Sequence, residues 1–162
     1  MSQMFTLILS KSLDAADVES VLTQHLPGLH IIVLRSGAHF PDEIGDVLVQ
    51  LNPTLDPNWP LALDFLISPD ASPRVPRPTF RLAEAISQET ASDVLTDLNG
   101  LFPELDPHDP YWWLAYVSGL WHLADAANTP LMGSYTDGIR SFPGDGILKL
   151  VRPVNPWTMQ AE

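Results

Sequence analysis

Three groupings of polar residues have types and spacings that could do chemistry. His122 and Asp125 could serve as a general base and its orienting carboxylate. In "LDPHDP", Asp106 and His108 project to one side of an extended segment and could form a dyad or two arms of a metal site. The run "GSYTDGIRSFPGDG", residues 133–146, could let glycine-flanked backbone N–H groups converge on a phosphate. Each has a plainer reading. His122 and Asp125 are three apart on an expected strand and so point to opposite faces. A metal needs more ligands than Asp106 and His108 supply, and no partner cluster has recognisable spacing. Asp137 and Asp145 would repel a phosphate that Arg140 alone would attract. His25, His30 and His39 stand singly at element ends or in loops.

Motifs that carry their own mechanism are missing. There is no nucleophile elbow, phosphate-binding loop, dinucleotide fingerprint, paired-histidine zinc helix or calcium loop. With no cysteine there is no disulfide, thiol nucleophile or all-cysteine metal site. The expectation is a protein with no catalytic residue, cofactor or metal. The rival expectations are a small enzyme with its site around Asp106 and His108, or an accessory subunit.

Charge is more informative. Twenty acidic residues face eight basic ones, a net charge of −12. Such a field repels nucleic acid and anionic membranes and draws basic partners. Arg74, Arg77 and Arg81 lie close together, and no lysine or arginine follows from Leu82 to Ile139. That stretch holds Glu84, Glu89, Asp93, Asp97, Glu104, Asp106, Asp109, Asp125 and Asp137. A solvated acidic surface and a docking face for a cationic protein are both consistent with it.

The elements that must position these side chains follow from periodicity. A chain of 162 residues, 45% apolar, suits one domain. "MFTLILS" reads as a strand over Met4–Leu9; it is too short for a membrane span and has no basic flank. Asp14 caps a helix whose stripe is Val18, Val21 and Leu22, with Leu13 and Val18 as a hydrophobic staple. Pro27-Gly28 stops it. "LHIIVLR", Asp46–Leu51 and Leu61–Ile67 are strands, the last with Asp64 on its less buried side. Pro69, Pro73, Pro76 and Pro78 mark residues 68–78 as a loop that excludes helix. A helix over Phe80–Gln88 and a strand over Asp93–Leu98 come next, or one helix through Leu98. A final strand spans Ile147–Val151, after a tail that loops over the surface with turns at Asp137-Gly138 and Asp145-Gly146.

Residues 111–125, "YWWLAYVSGLWHLAD", hold three of five tryptophans and two of three tyrosines. Ser118-Gly119 makes a hairpin turn there. Val117 then faces Leu120, Ala115 faces His122 and Trp113 faces Ala124. Trp112, Leu114, Tyr116, Trp121 and Leu123 share the other face. Both faces need cover, so the hairpin is expected to be central, with Tyr111, Trp112 and Tyr116 reaching the rim. The expected fold is α+β, a mostly antiparallel central sheet of five to seven strands with two main helices packed on it.

The stretch "FRLAEAISQETASDVLTDLNG…DPYWWLAYVSGLW" resembles, in layout and composition, bacterial immunity proteins of polymorphic-toxin and contact-dependent systems. The likeness covers the second half of the chain and assigns no residue a role. It implies a small cytoplasmic α+β protein that binds and neutralises a cognate toxin, with no direct contact to nucleic acid or membrane. Acidic steering with a few aromatic anchors is the physics such binding would use. On that basis the expected partner surface is Asp93, Asp97, Glu104, Asp106, Asp109, Tyr111, Trp112 and Tyr116.

Overall fold

A computed structural model describes residues 2–98, 101–102, 104–105, 112–127, 129–132, 134–136, 139–141 and 147–159. Of residues 132, 134–136 and 139–141 it describes the backbone alone. The chain opens with β1 (Gln3–Leu9) and α1 (Ala15–His25), then β2 (Ile31–Leu34), β3 (Val47–Pro53) and β4 (Leu61–Ile67). After a 3-10 turn at Ser72–Arg74 come α2 (Pro78–Thr90), β5 (Val94–Thr96) and the hairpin β6 (Trp112–Val117) and β7 (Leu120–Asp125). A second 3-10 turn at Pro130–Met132 leads to β8 (Ser134–Thr136), β9 (Ile139–Ser141) and β10 (Lys149–Pro153).

Eight of these strands form one sheet in the order β10-β7-β6-β5-β1-β4-β3-β2, and β8 and β9 pair separately. The α+β class stands, with two α-helices among the described residues. The sheet is larger than the five to seven strands expected. It is also mixed: β2 runs parallel to β3, while the sheet's other pairings are antiparallel. Strand direction and neighbour choice depend on pairings between distant segments, which periodicity does not encode.

Local chemistry explains the elements. Asp14 caps α1 reciprocally: its carboxylate accepts from the Asp17 N–H at 2.8 Å, and Asp17 accepts from the Asp14 N–H at 3.3 Å. Helix α2 begins two residues before the expected Phe80, and the proline-rich loop contains a helical turn. Proline is excluded only from helix interiors. At the first helical position its missing N–H has no partner to lose, and Pro78 sits there. Ala91 closes α2 in the left-handed region, φ 57°. The separate strand β5 then pairs with β1. In the β6–β7 turn Ser118 and Gly119 both have positive φ, 51° and 80°, matching the twist of a two-residue hairpin.

The helices cover one face of the sheet. Leu7 and Leu9 on β1, Leu61, Leu63, Phe65 and Ile67 on β4, and Val47 and Val49 on β3 meet Val18 and Leu22 of α1 and Leu82 and Ile86 of α2. Phe80, Tyr116 and Trp121 extend this core toward β7. Trp121 packs against both Phe80 and Tyr116, with ring centroids at 5.5 and 5.0 Å. Residues 154–159 return to the same face. Glu84 of α2 accepts from the indole N–H groups of Trp121 at 2.9 Å and Trp157 at 2.8 Å. Arg77 donates to the Pro156 and Trp157 carbonyls, and Arg81 to the His25 carbonyl. Two of the clustered arginines thus tie elements together.

Among the described residues, only part of the other face is covered. Ile8, Leu95, Ala115 and Ala124 lie under Trp59, which the β3–β4 loop folds over them, with Leu131 and Leu148 alongside. Beyond that cover the β1–β4–β3 side carries Thr6, Asp64 and Gln50, with Met4, Leu66 and Leu48 on the same face.

Candidate functional site

The sheet register lines up one row of side chains on this second face. Gln50 lies opposite Asp64, and Asp64 opposite Thr6. Two residues along from the Ile8–Leu95 and Leu95–Ala115 pairs, Asp97 and then Trp113 continue the row. Neighbouring strands are about 4.8 Å apart, so Asp64 and Asp97 stand on the order of 10 Å apart with Thr6 between them.

A groove of ≈ 590 Å³ runs along this row, lined among others by Met4, Thr6, Phe40, Asp64, Asp97 and Trp113. Phe40 arrives there for a topological reason. Because β2 and β3 are parallel, the connection over residues 35–46 must travel back along the sheet before β3 can start. Met4 and Phe40 are 80% and 65% exposed, a large apolar surface left beside two carboxylates.

Asp64 is fixed in place. Thr6 Oγ1 donates to its Oδ1 at 2.6 Å, and Asn52 Nδ2 donates to its Oδ2 at 2.5 Å. Each oxygen keeps capacity for a further donor. Among the described residues no lysine or arginine pairs with Asp64; Arg152 pairs with Glu104 at 3.5 Å, and His25 Nε2 lies 3.3 Å from Glu89.

Of the eight residues expected at the partner surface, the five that are described do not form one patch. Asp106, Asp109 and Tyr111 lie outside the described residues, as does His108. Asp97 is exposed in the groove. Asp93 sits at the other end of β5 on the same face, lining a smaller cavity of ≈ 280 Å³ with Trp59 and Leu148. Its backbone is held by Ser10. Glu104 is exposed and pairs with Arg152. Trp112 is half-buried against the helix-side core. Tyr116 is only 7% exposed, so its ring is core and not rim. The hairpin pairings Ala115–His122 and Trp113–Ala124 occur as read, and β5 and β10 flank the hairpin.

Asp64, Thr6, Met4 and Phe40 were not among the expected site residues. The alternation that put Asp64 on the less buried side of its strand was the available signal. Its meaning depends on β1 lying beside β4, a pairing across 58 positions. His122 is half-buried, and its Nδ1 is enclosed without a hydrogen-bond partner among the described residues. Among those residues no three or more histidines and carboxylates come together to hold a metal ion, and no helix is long and apolar enough to cross a membrane.

Three comparisons bear on kinship: no protein-family model, no curated protein and no solved structure matches the chain.

Proposed function

We propose that this chain is an acidic binding protein that captures and neutralises a basic protein partner, in the manner of the immunity proteins that its second half resembles. The observation that carries the reading is a sheet face that the described residues cover only in part. Asp64 and Asp97 stand there in one groove beside the exposed side chains of Met4 and Phe40. Apolar anchors give a contact its affinity, and carboxylates around them steer and select a cation. A net charge of −12 extends that steering over the whole molecule. Asp93, on the same face, belongs to the proposed surface; Tyr116 does not.

The partner is a cognate toxin whose own target chemistry calls for a positive surface. The test is co-purification with the protein encoded by the neighbouring gene, repeated from low to high salt, followed by assay of that protein's toxicity. A complex that weakens with salt and abolishes toxicity supports the reading. No complex at any ionic strength, or a complex that leaves toxicity intact, contradicts it.

A further inference from the structure

We propose that the groove between Asp64 and Asp97 seats an arginine side chain of the partner. This rests on the reading of the chain as a binder of a basic protein and deepens it by naming the group recognised. Asp64 is a half-buried carboxylate with two neutral donors and, among the described residues, no cation. Thr6 and Asn52 orient it without neutralising it, so a charged visitor meets a carboxylate already aimed. Asp97 lies on the order of 10 Å away across Thr6, close enough for one cation to feel both charges.

Trp113 ends the row on the Asp97 side, and Phe40 and Met4 line the same groove. A ring in a groove with two carboxylates favours guanidinium over ammonium. The planar guanidinium stacks on an aromatic face while its forked N–H groups bridge carboxylate oxygens. A lysine ammonium is more strongly hydrated and can satisfy only the charge. The flanking apolar side chains would cover the aliphatic stem.

The probe is an acetylated, amidated hexa-arginine peptide titrated into the ¹⁵N-labelled full chain. We expect saturable shifts at the Thr6 and Asp64 amides and the Trp113 indole N–H. Asp64→Asn keeps the shape and removes the charge, and it should weaken the peptide about tenfold. Phe40→Ala, at an exposed loop position that cannot unfold the sheet, should weaken it about threefold. Glu19→Gln, on the exposed side of α1, removes the same charge elsewhere and should change affinity less than twofold. Hexa-lysine should bind at least threefold more weakly than hexa-arginine.

Peptide binding that Asp64→Asn and Glu19→Gln reduce equally would overturn the groove as the seat while leaving an acidic binder intact. Equal affinity for hexa-lysine would overturn the choice of guanidinium. No binding of either peptide at low salt would overturn both the seat and the reading on which it rests.

Discussion

The two faces of the eight-stranded sheet are built from the same strands and meet opposite fates. On one, Leu7, Leu63, Val49 and their neighbours are sealed beneath α1 and α2. On the other, one step along each strand, Thr6, Asp64 and Gln50 form a polar row that the Trp59 cover does not reach. Period-two alternation alone produces this contrast. Burial on the first face supplies stability through area removed from water. Polar groups on the second add little stability and are therefore available for recognition. The difference locates function by asking which half of each strand the fold can do without.

Substitutions that separate the two faces test this contrast, and the largest effect is expected in the sealed core. Leu63→Ala, at a fully buried central position, should lower unfolding free energy by about 3 kcal/mol in urea titrations. A loss below about 1 kcal/mol would mean that this face is loosely packed. Glu84→Ala should cost about 2 kcal/mol, because the Trp121 and Trp157 indoles lose their shared acceptor. Glu84→Gln, which keeps an accepting oxygen, should recover at least half of that in thermal melts. Asp14→Ala removes the α1 cap and should cost about 1 kcal/mol, read most clearly as faster amide exchange in the first turn. The smallest stability change belongs to the second face. Met4→Ser and Phe40→Ser should each leave unfolding free energy within about 0.5 kcal/mol, yet weaken capture of the proposed basic partner. A pair of exposed substitutions that destabilised the fold as much as Asp14→Ala would erase the distinction.

Much of the local structure was legible in the sequence. Asp14 announced its helix, Ser118-Gly119 its turn, and the parity of Leu61–Ile67 the exposed side of Asp64. Boundaries failed where a general rule had a positional exception, as at Pro78, which starts α2 instead of forbidding it. The β8–β9 pair was also missed, since two three-residue strands carry almost no periodic signal. The candidate site was the least legible part. Its residues come from β1, β3, β4, the β2–β3 connection and the ends of β5 and β6, and only the strand order brings them together. Reading residues by their nearness in sequence gathered Asp93 and Asp97 with Glu104 and Tyr116, which the fold sends to different surroundings. Reading them by face keeps Asp93 and Asp97 and adds Asp64. The charge excess suggests a basic partner and could not point to a place.

The edges of the sheet repeat the lesson on a smaller scale. β10 is an exposed edge strand with Lys149, Arg152 and Pro153 and a register shift between Leu150 and Arg152, features that discourage another strand from pairing there. Recognition through side chains on a face, and not through a free β10 edge, is the mode this arrangement permits.

Side-chain oxidation footprinting of the chain, alone and in complex with its captured basic partner, tests the central claim most directly. The account predicts strong protection of Met4 and Phe40 in the complex, with the exposed side chains of α1 oxidised equally in both states. Protection confined to α1 and α2, with Met4 and Phe40 as reactive in the complex as in the free protein, would contradict it.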